Sequence, residues 1–266
     1  MLTGKTPFFA STLDQRFSFS LYVPTCHSFD GPQLPLLVII HGIRRQTDQY
    51  LDNLRDLCER HRLVLLVPLF PAGIIDPHDT ANYNTLVYKG IRFDTILLSM
   101  IEQAGNLWRV RTDKVFLHGF SAGGQFAHRF AYLHPERLSA VSIGAPGRIT
   151  PPDLSQKWPA GLGNIEQVFG LSNRPDFKRM ARIPVQFIVG ENDTKGSQVE
   201  LVRMPNAAEV EAGKSRVERI RWLHKSWEAV GIQSDLTIVN GVGHDGIKCW
   251  PHVEEWLKDH LPVEWM

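Results

Sequence analysis

Four short runs of almost exclusively apolar residues restrict the fold of this chain more than any other feature. They are "LPLLVIIHG" (34–42), "VLLVPLFP" (64–71), "KVFLHGF" (114–120) and "LSAVSIGAP" (138–146). Runs of this length are typical of strands that are covered on both faces, as the strands of parallel sheets are. Two further runs, "PVQFIVG" (184–190) and "SDLTIVNGVG" (234–243), predict strands nearer the C-terminus.

Helical patterns separate these runs. They occupy "TDQYLDNLRDLCERHRL", "RFDTILLSMIEQAG" with Gly105 as its C-cap, "GQFAHRFAYLHPER", a stretch that ends at Gly231, and a last helix that starts near Pro251. The earlier run "RFSFSLYVP" (16–24) alternates like an antiparallel strand. The regular alternation predicts an α/β fold, with a mostly parallel central sheet and helices on both faces.

Charge and composition bear on the partners that we expect. The chain has 29 Lys and Arg against 28 Asp and Glu, so no basic surplus points to a nucleic acid. No apolar run approaches the roughly 20 residues that span a bilayer, so we expect no membrane partner. The three cysteines and the absence of an apolar leader in "MLTGKTPFFASTLDQ" favour a cytoplasmic location. No Cys/His spacing predicts a structural zinc site, and we expect no metal.

The segment "GFSAG" (119–123) follows the third apolar run and precedes a helical pattern. A serine hydroxyl becomes a useful nucleophile only near a base and beside a helix N-terminus that stabilises an oxyanion. A sharp strand-to-helix turn meets both needs, and it strains the serine so that the residues two positions away must be small. The pattern therefore predicts a G-x-S-x-G nucleophile elbow with Ser121 as the nucleophile. Gly124 would let the helix approach the sheet.

The segments "FSLYVP", "IIHG", "GFSAGGQF", "VGENDT" and "GVGHD" resemble those of the α/β-hydrolase superfamily, and within it the esterases grouped with polyhydroxybutyrate depolymerases and feruloyl esterases. The resemblance implies the α/β-hydrolase fold and a cofactor-free serine esterase that works through an acyl-enzyme. Secreted members carry signal peptides and often disulfides. Because this chain shows neither, we expect a small-molecule ester substrate rather than a polymer.

The resemblance also implies the order serine, acid, histidine along the chain. Only His244 lies in a glycine-flanked loop after a strand, so it is the predicted base. The other histidines in this part of the chain are His224, His252 and His260.

The predicted acid lies in "VGENDT". The family pattern favours Asp193, a few residues after the strand-end glycine, and Glu191 is the alternative in the same loop. Some relatives carry the acid one strand earlier, which would make Asp153 or Asp176 the candidate.

An oxyanion requires two backbone N–H donors. We predict that Ala122 supplies one, because it follows the nucleophile at the N-terminus of a helix. By resemblance, Ile43 in "IIHGIRR" supplies the other. The preceding His41 is predicted to be structural, and Arg44 and Arg45 could reach an acidic group on the substrate.

Residues 147–182 interrupt the alternation and are rich in Pro and Gly. So short a segment cannot form a core of its own. We therefore predict a single domain, residues 1–266, in which residues 147–182 form a small cap over Ser121. Its aromatic residues are candidates for the wall of a pocket for a small or medium acyl or aromatic group, or for anchors of the segment: Trp158, Phe169 and Phe177.

Two other functions remain open from the sequence. The same residues could serve an acyltransferase or a cofactor-free perhydrolase, in which an alcohol or a peroxide replaces water. A hydrolase scaffold can also act as a non-catalytic ligand receptor, although such proteins usually lack one of the three residues that are present here. The ester could likewise be a thioester, a lactone or an amide.

Overall fold

A computed structural model of the chain describes residues 3–172, 174–194 and 211–261. Eleven strands lie within these ranges: β1 (Gly4–Lys5), β2 (Phe9–Ala10), β3 (Ser18–Val23), β4 (Leu36–Ile40), β5 (Val64–Leu69), β6 (Val87–Tyr88), β7 (Ile91–Arg92), β8 (Val115–Phe120), β9 (Leu138–Gly144), β10 (Val185–Gly190) and β11 (Asp235–Val239).

Nine of these strands form one sheet in the order β1-β3-β5-β4-β8-β9-β10-β11, with β2 paired to β3. The six strands from β5 to β11 in this order are parallel, whereas β3 is antiparallel to β5. Every residue of β4, β8 and β10 is buried, which explains why the sequence of these strands is almost entirely apolar. The predicted mostly parallel sheet is confirmed, and the run 16–24, expected to be an antiparallel strand, contains β3.

The helices within the described ranges are α1 (Thr47–Asn53), α2 (Arg55–His61), α3 (Phe93–Trp108), α4 (Ala122–Leu133), α5 (Ile165–Phe169), α6 (Phe177–Met180), α7 (Arg216–Glu228) and α8 (Gly246–Lys258). They cover both faces of the sheet. The ring of His118 on β8 packs against Trp250 of α8, while the next residue, Gly119, lies against Gly123 of α4. Successive residues of a strand point to opposite faces, so α8 and α4 lie on opposite sides. None of these helices is long and apolar enough to span a membrane.

Two helix boundaries differ from the predictions. Helix α3 continues past Gly105 to Trp108 and is capped by Arg109 in the left-handed conformation. Gly105 is instead a packing position, since a Cβ there would lie 2.6 Å from the Cγ2 atom of Thr112. The last helix begins at Gly246 rather than near Pro251, because the Asp245 side chain caps it by accepting hydrogen bonds from two backbone N–H groups.

The first predicted helix is divided at Leu54 into α1 and α2. Part of the helical stretch predicted before Gly231 lies outside the described residues. The remainder forms α7, which ends before the positive φ of Gly231.

The segment 147–182 packs against the main body of the protein. Thr150 donates its backbone N–H to His128 and accepts a hydrogen bond from the Arg129 guanidinium, both on α4. The indole N–H of Trp158 donates to the carbonyl of Thr85. The segment thus rests on α4 and on the loop after β5. That it covers Ser121 stays a prediction.

Candidate active site

Ser121 occupies the sharp turn between β8 and α4. Its φ of 60° and ψ of −116° are a conformation that a non-glycine residue adopts only under constraint. The constraint comes from both sides of the turn. The Ser121 N–H donates to the carbonyl of Gly144 on the next strand, and the Ser121 carbonyl accepts from Gln125 in the helix. The turn therefore fixes the backbone from which the hydroxyl projects.

The three glycines around Ser121 are required by close backbone packing. A Cβ atom would lie 2.2 Å from the Gly123 carbonyl oxygen if placed on Gly119, and 2.1 Å from the Ile40 oxygen if placed on Gly123. A Cβ on Gly124 would lie 2.3 Å from the oxygen of Gly144. These neighbours are backbone atoms and have little freedom to move, so any side chain at the three positions would separate α4 from the sheet.

The structure brings Ser121, His244 and Asp193 together at the carboxyl ends of the parallel strands. His244 lies in the loop between β11 and α8, with its Nε2 atom 2.9 Å from the hydroxyl oxygen of Ser121. Its Nδ1 atom lies 2.6 Å from Oδ2 of Asp193, which follows β10. Because a carboxylate can only accept, Nδ1 carries the proton and Nε2 is left to accept a proton from the serine.

The Asp193 carboxylate is almost completely buried and has a second partner, which is a cation. The Arg216 guanidinium, at the first residue of α7, donates to Oδ1 over 3.2 Å. Sequence reasoning missed Arg216, because no spacing connects it to "VGENDT". The capping-box pattern of Ser215 and Glu218 could have predicted where this helix begins, but it does not predict the contact between Arg216 and Asp193.

The alternative acids are engaged elsewhere. The Glu191 carboxylate accepts the N–H of Gly241, the Asp153 carboxylate accepts the N–H of Ser155, and Asp176 caps the start of α6.

The alternative histidines also have other partners. His224 bonds to the hydroxyl of Ser234, and His260 bonds to the carbonyl of Trp256. His252 is an exposed residue within α8.

His41 is buried and supports the loop after β4. Its Nε2 atom accepts the N–H of Phe70, so Nδ1 carries the proton that is donated to the carbonyl of Gly42. Burial lowers the pKa of His41 to about 3, which keeps the ring neutral. Tyr83 donates its hydroxyl to the carbonyl of His41. These contacts fit the structural role expected of this residue.

Arg45 does not face a substrate, contrary to one expectation from the sequence. Its guanidinium donates to the backbone carbonyls of Phe70, Ile43 and Thr80 over 2.6 to 2.9 Å. Its backbone has a φ of 55°. These bonds tie the loop after β4 to the loop after β5, and therefore fix the peptide between Ile43 and Arg44.

One of the two predicted oxyanion donors follows Ser121 in the chain, and the other lines the same cleft as Ser121. Ala122 is the first residue of α4, so its N–H has no partner within the helix. Ile43 shares a cleft of about 380 Å³ with Ser121 and His244. The cleft is lined by the loop after β4, α1 and the start of α8: Gly42, Ile43, Arg44, Gln46, Gln49, Tyr50, Phe120, Ser121, His244, Asp245, Gly246 and Ile247.

Of the predicted substrate-binding residues, this cleft contains Arg44, which is exposed. Its described lining includes none of the three aromatics of residues 147–182. Phe169 is buried below the Arg92 guanidinium, which lies 4.7 Å from its ring centre, and Trp158 packs edge-on against Phe169. Phe177 is half-buried against the core.

Sequence reasoning missed Tyr50 and the two glutamines of the cleft. Burial raises the pKa of Tyr50 to about 12, so its hydroxyl stays protonated.

Neither a protein-family model nor a curated protein sequence matches the chain. Solved structures do match. Poly(aspartic acid) hydrolase-1 from Sphingomonas sp. KT-1 is 20% identical, with a TM-score of 0.78 over 96% of this chain and 98% of that one. The poly(3-hydroxybutyrate) depolymerase LpqC from Bordetella parapertussis is 23% identical, with a TM-score of 0.74 over 98% and 92%.

A third solved structure, an S-formylglutathione hydrolase from Agrobacterium tumefaciens, is 16% identical, with a TM-score of 0.63 over 92% of this chain and 88% of that one. The sheet order, the turn at Ser121 and these likenesses agree: the chain has the α/β-hydrolase fold.

Proposed function

We propose that this protein is a serine hydrolase that cleaves carboxylic esters of small molecules through an acyl-enzyme. The observation that carries the proposal is the continuous hydrogen-bonded series from Ser121 through His244 to Asp193, with distances of 2.9 and 2.6 Å. A nucleophile, a base and an acid that orients the base are the groups that acyl transfer requires. The hydrolase and esterase names of proteins with this fold support the same reaction class.

The reaction proceeds in two halves. The Ser121 oxygen attacks the ester carbonyl while Nε2 of His244 takes its proton, and Asp193 stabilises the resulting imidazolium. The carbonyl oxygen becomes an oxyanion, which the N–H groups of Ala122 and Ile43 bind. The alcohol leaves with the proton from Nε2. Water then attacks the acyl-enzyme by the same route, which releases the acid and restores the serine.

The shape of the cleft supports a small substrate. Its volume of about 380 Å³ lies near the lower end of the range for small-molecule sites. Arg44, Gln46 and Gln49 give one side a polar character, while Phe120 and Ile247 are apolar. One protein of this fold is named for poly(aspartic acid), whose side chains are carboxylates. An ester with a carboxylate on its acyl group could pair with the exposed Arg44 guanidinium of the cleft.

Labelling with a fluorophosphonate tests the proposal. We expect covalent modification at Ser121 and its loss in Ser121→Ala, together with a fall in ester turnover on the order of 10⁴-fold or more. Ser155→Ala, an exposed serine outside the cleft, is the matched control and should label normally. Modification at another serine, or turnover retained by Ser121→Ala, would disprove the assignment.

A panel of 4-nitrophenyl esters then addresses the substrate and the acceptor. Acetate, butyrate and hydrogen succinate differ in length and charge, and we expect the succinate to be favoured over the butyrate. Adding an alcohol or hydrogen peroxide separates hydrolysis from acyl transfer. Product that contains the added acceptor in place of free acid would favour the acyltransferase or perhydrolase alternative.

A further inference from the structure

We propose that Arg216 is a positioning residue for the Asp193–His244 pair, and that its charge extends the action of His244 as a base to lower pH. This inference rests on the proposed function of Ser121, His244 and Asp193. Arg216 is not among the residues that line the cleft described above, and its action passes through the carboxylate.

The start of α7 is built so that Arg216 has a fixed position. The Ser215 hydroxyl accepts the N–H of Glu218, and the Glu218 carboxylate accepts the N–H groups of Lys214 and Ser215 over 2.8 Å. This reciprocal cap holds the first turn of the helix. Arg216, the first residue of that turn, is buried with only 8% of its surface exposed. Its guanidinium therefore has little freedom to leave the carboxylate.

The two oxygens of Asp193 are divided between two donors. His244 donates to Oδ2, and Arg216 donates to Oδ1. A carboxylate held at both oxygens cannot rotate about its Cβ–Cγ bond without breaking one of these hydrogen bonds, and bonds to a charged acceptor are among the stronger ones. The plane of the carboxylate, and with it the orientation of the His244 ring towards Ser121, is thus fixed from the side away from the substrate.

The charge of Arg216 has an effect of its own. When His244 takes the serine proton it becomes a cation, separated from the guanidinium by a single carboxyl group. The negative Asp193 stabilises this cation, and the positive Arg216 opposes it. Arg216 therefore keeps His244 unprotonated to a lower pH than Asp193 alone would. Removing the positive charge should move the acid limb of the pH–rate profile to higher pH.

Other ionisable groups surround the pair. Asp245 next to His244 accepts the N–H groups of Ile247 and Lys248, and burial raises the pKa of the Cys249 thiol to about 12. Within the part of the chain that the structure describes, Glu191 after β10, Lys248 on α8 and Arg44 after β4 also lie in the segments next to the pair. Substituting Arg216 leaves all of these residues in place, so a change in the pH profile reports on the guanidinium.

Arg219, one turn further along α7, provides a matched control. It is equally buried, with 4% of its surface exposed, but it donates to the carbonyls of Gly147 and Gly213 rather than to Asp193. Its substitution should weaken the packing of the same helix without removing a positive charge from the Asp193 carboxylate.

The experiment compares the wild type with Arg216→Gln, Arg216→Lys and Arg219→Gln. For each protein it measures, as a function of pH, the rate constant of fluorophosphonate labelling and kcat/KM for 4-nitrophenyl acetate. The Tm of each protein shows whether it is folded. For Arg216→Gln we expect the midpoint of the acid limb to rise by about 0.5 to 1 pH unit. We also expect a plateau about 10-fold lower, since the carboxylate is less well held. Arg216→Lys should keep the midpoint and lower the plateau, and Arg219→Gln should keep the midpoint.

An unmoved acid limb in a folded Arg216→Gln variant, or an equal shift in Arg219→Gln, overturns the inference and leaves the proposed function intact. If Arg216→Gln does not fold, Arg216→Lys decides: a lower plateau with an unmoved limb supports the inference, and a wild-type plateau overturns it. A wild-type protein that is not labelled at Ser121 contradicts the proposed function itself, and this inference with it.

Discussion

Ser121 holds its hydroxyl clear of the sheet at a cost in backbone energy. A φ of 60° in a non-glycine residue costs on the order of 1 to 3 kcal/mol. The sheet bond to Gly144 and the first turn of α4 keep the residue in place. The strained backbone of Ser121 destabilises the turn locally and leaves the hydroxyl oxygen exposed. Packing of the buried strands and helix around the turn stabilises this conformation.

This strain predicts that Ser121→Gly is more stable than the wild type, because glycine adopts the observed backbone angles without a steric penalty. We expect a gain of about 1 kcal/mol in the free energy of unfolding, with complete loss of ester turnover. Urea denaturation of the wild type, Ser121→Gly and Ser121→Ala measures the effect. A glycine variant less stable than the alanine variant would show that the turn is not strained.

Asp193 and Glu191 differ by two positions in sequence, yet they have different surroundings. Asp193→Asn should lower kcat on the order of 10⁴-fold, because an amide can donate to Nδ1 and so stabilise the wrong tautomer of His244. Glu191→Gln should stay close to the wild type, since the exposed Glu191 side chain accepts the N–H of Gly241, and a glutamine oxygen can accept the same bond. Steady-state kinetics with a single ester compare the two variants, and a larger loss in Glu191→Gln would assign the acid to Glu191.

At the scale of single elements, the segment 147–182 is secured by its aromatics and by α4. Phe169 is 4% exposed, and the Arg92 guanidinium both lies over its ring and donates to its carbonyl. Arg92 in turn pairs with the buried Asp94, which His134 also contacts. This network joins α5 to the start of α3 and the end of α4. Its geometry favours the anchor interpretation of Phe169 over that of a pocket wall.

Phe169→Ala should therefore lower the free energy of unfolding by about 3 kcal/mol while leaving the acetate-to-butyrate ratio of kcat/KM unchanged. The matched variant is Ile247→Ala, in which the residue lines the cleft and is 39% exposed. It should change that ratio and alter stability by no more than about 0.5 kcal/mol. A changed ratio in Phe169→Ala would place its ring at the substrate after all.

Local patterns explain which elements the sequence predicted well. The buried strands and the turn at Ser121 depend on residues that are neighbours in the chain, so periodicity and the glycines were sufficient. Gly105 lies within α3 and packs closely against Thr112, and the role of Arg216 depends on a contact with a residue 23 positions away. Contacts of this kind do not produce a periodic pattern in the sequence. The lining of the cleft is of the same kind, because α1 and α8 meet there only after folding.

At the scale of the whole molecule, stability depends on pH through three buried neutral histidines of the described residues. They are His41, His118 and His128, in the loop after β4, in β8 and in α4. Burial lowers the pKa of His41 and of His118 from 6.5 to about 3, and lowers that of His128 well below 6.5. The N–H groups of Phe70 and Thr150 donate to Nε2 of His41 and of His128 respectively, and those bonds are lost on protonation.

Acid should therefore unfold the protein through these three rings. Their unfolded forms bind protons below pH 6.5 while the folded forms do not, so their contribution is fully present above that pH and is lost as the pH falls towards about 3. Three protons correspond to a slope of roughly 4 kcal/mol per pH unit. Between pH 6 and 5 this slope should dominate, because the unfolded carboxylates take up protons mainly below about pH 4.5.

Urea denaturation at half-unit steps of pH gives the free energy of unfolding at each pH, and the slope of that free energy against pH gives the number of protons taken up on unfolding. His118→Gln keeps a polar partner for Ser142 and should reduce this number by one. Substitution of the exposed His252 is the control and should leave the number unchanged. A wild-type slope that corresponds to less than one proton would mean that the three rings do not stay neutral in the folded protein.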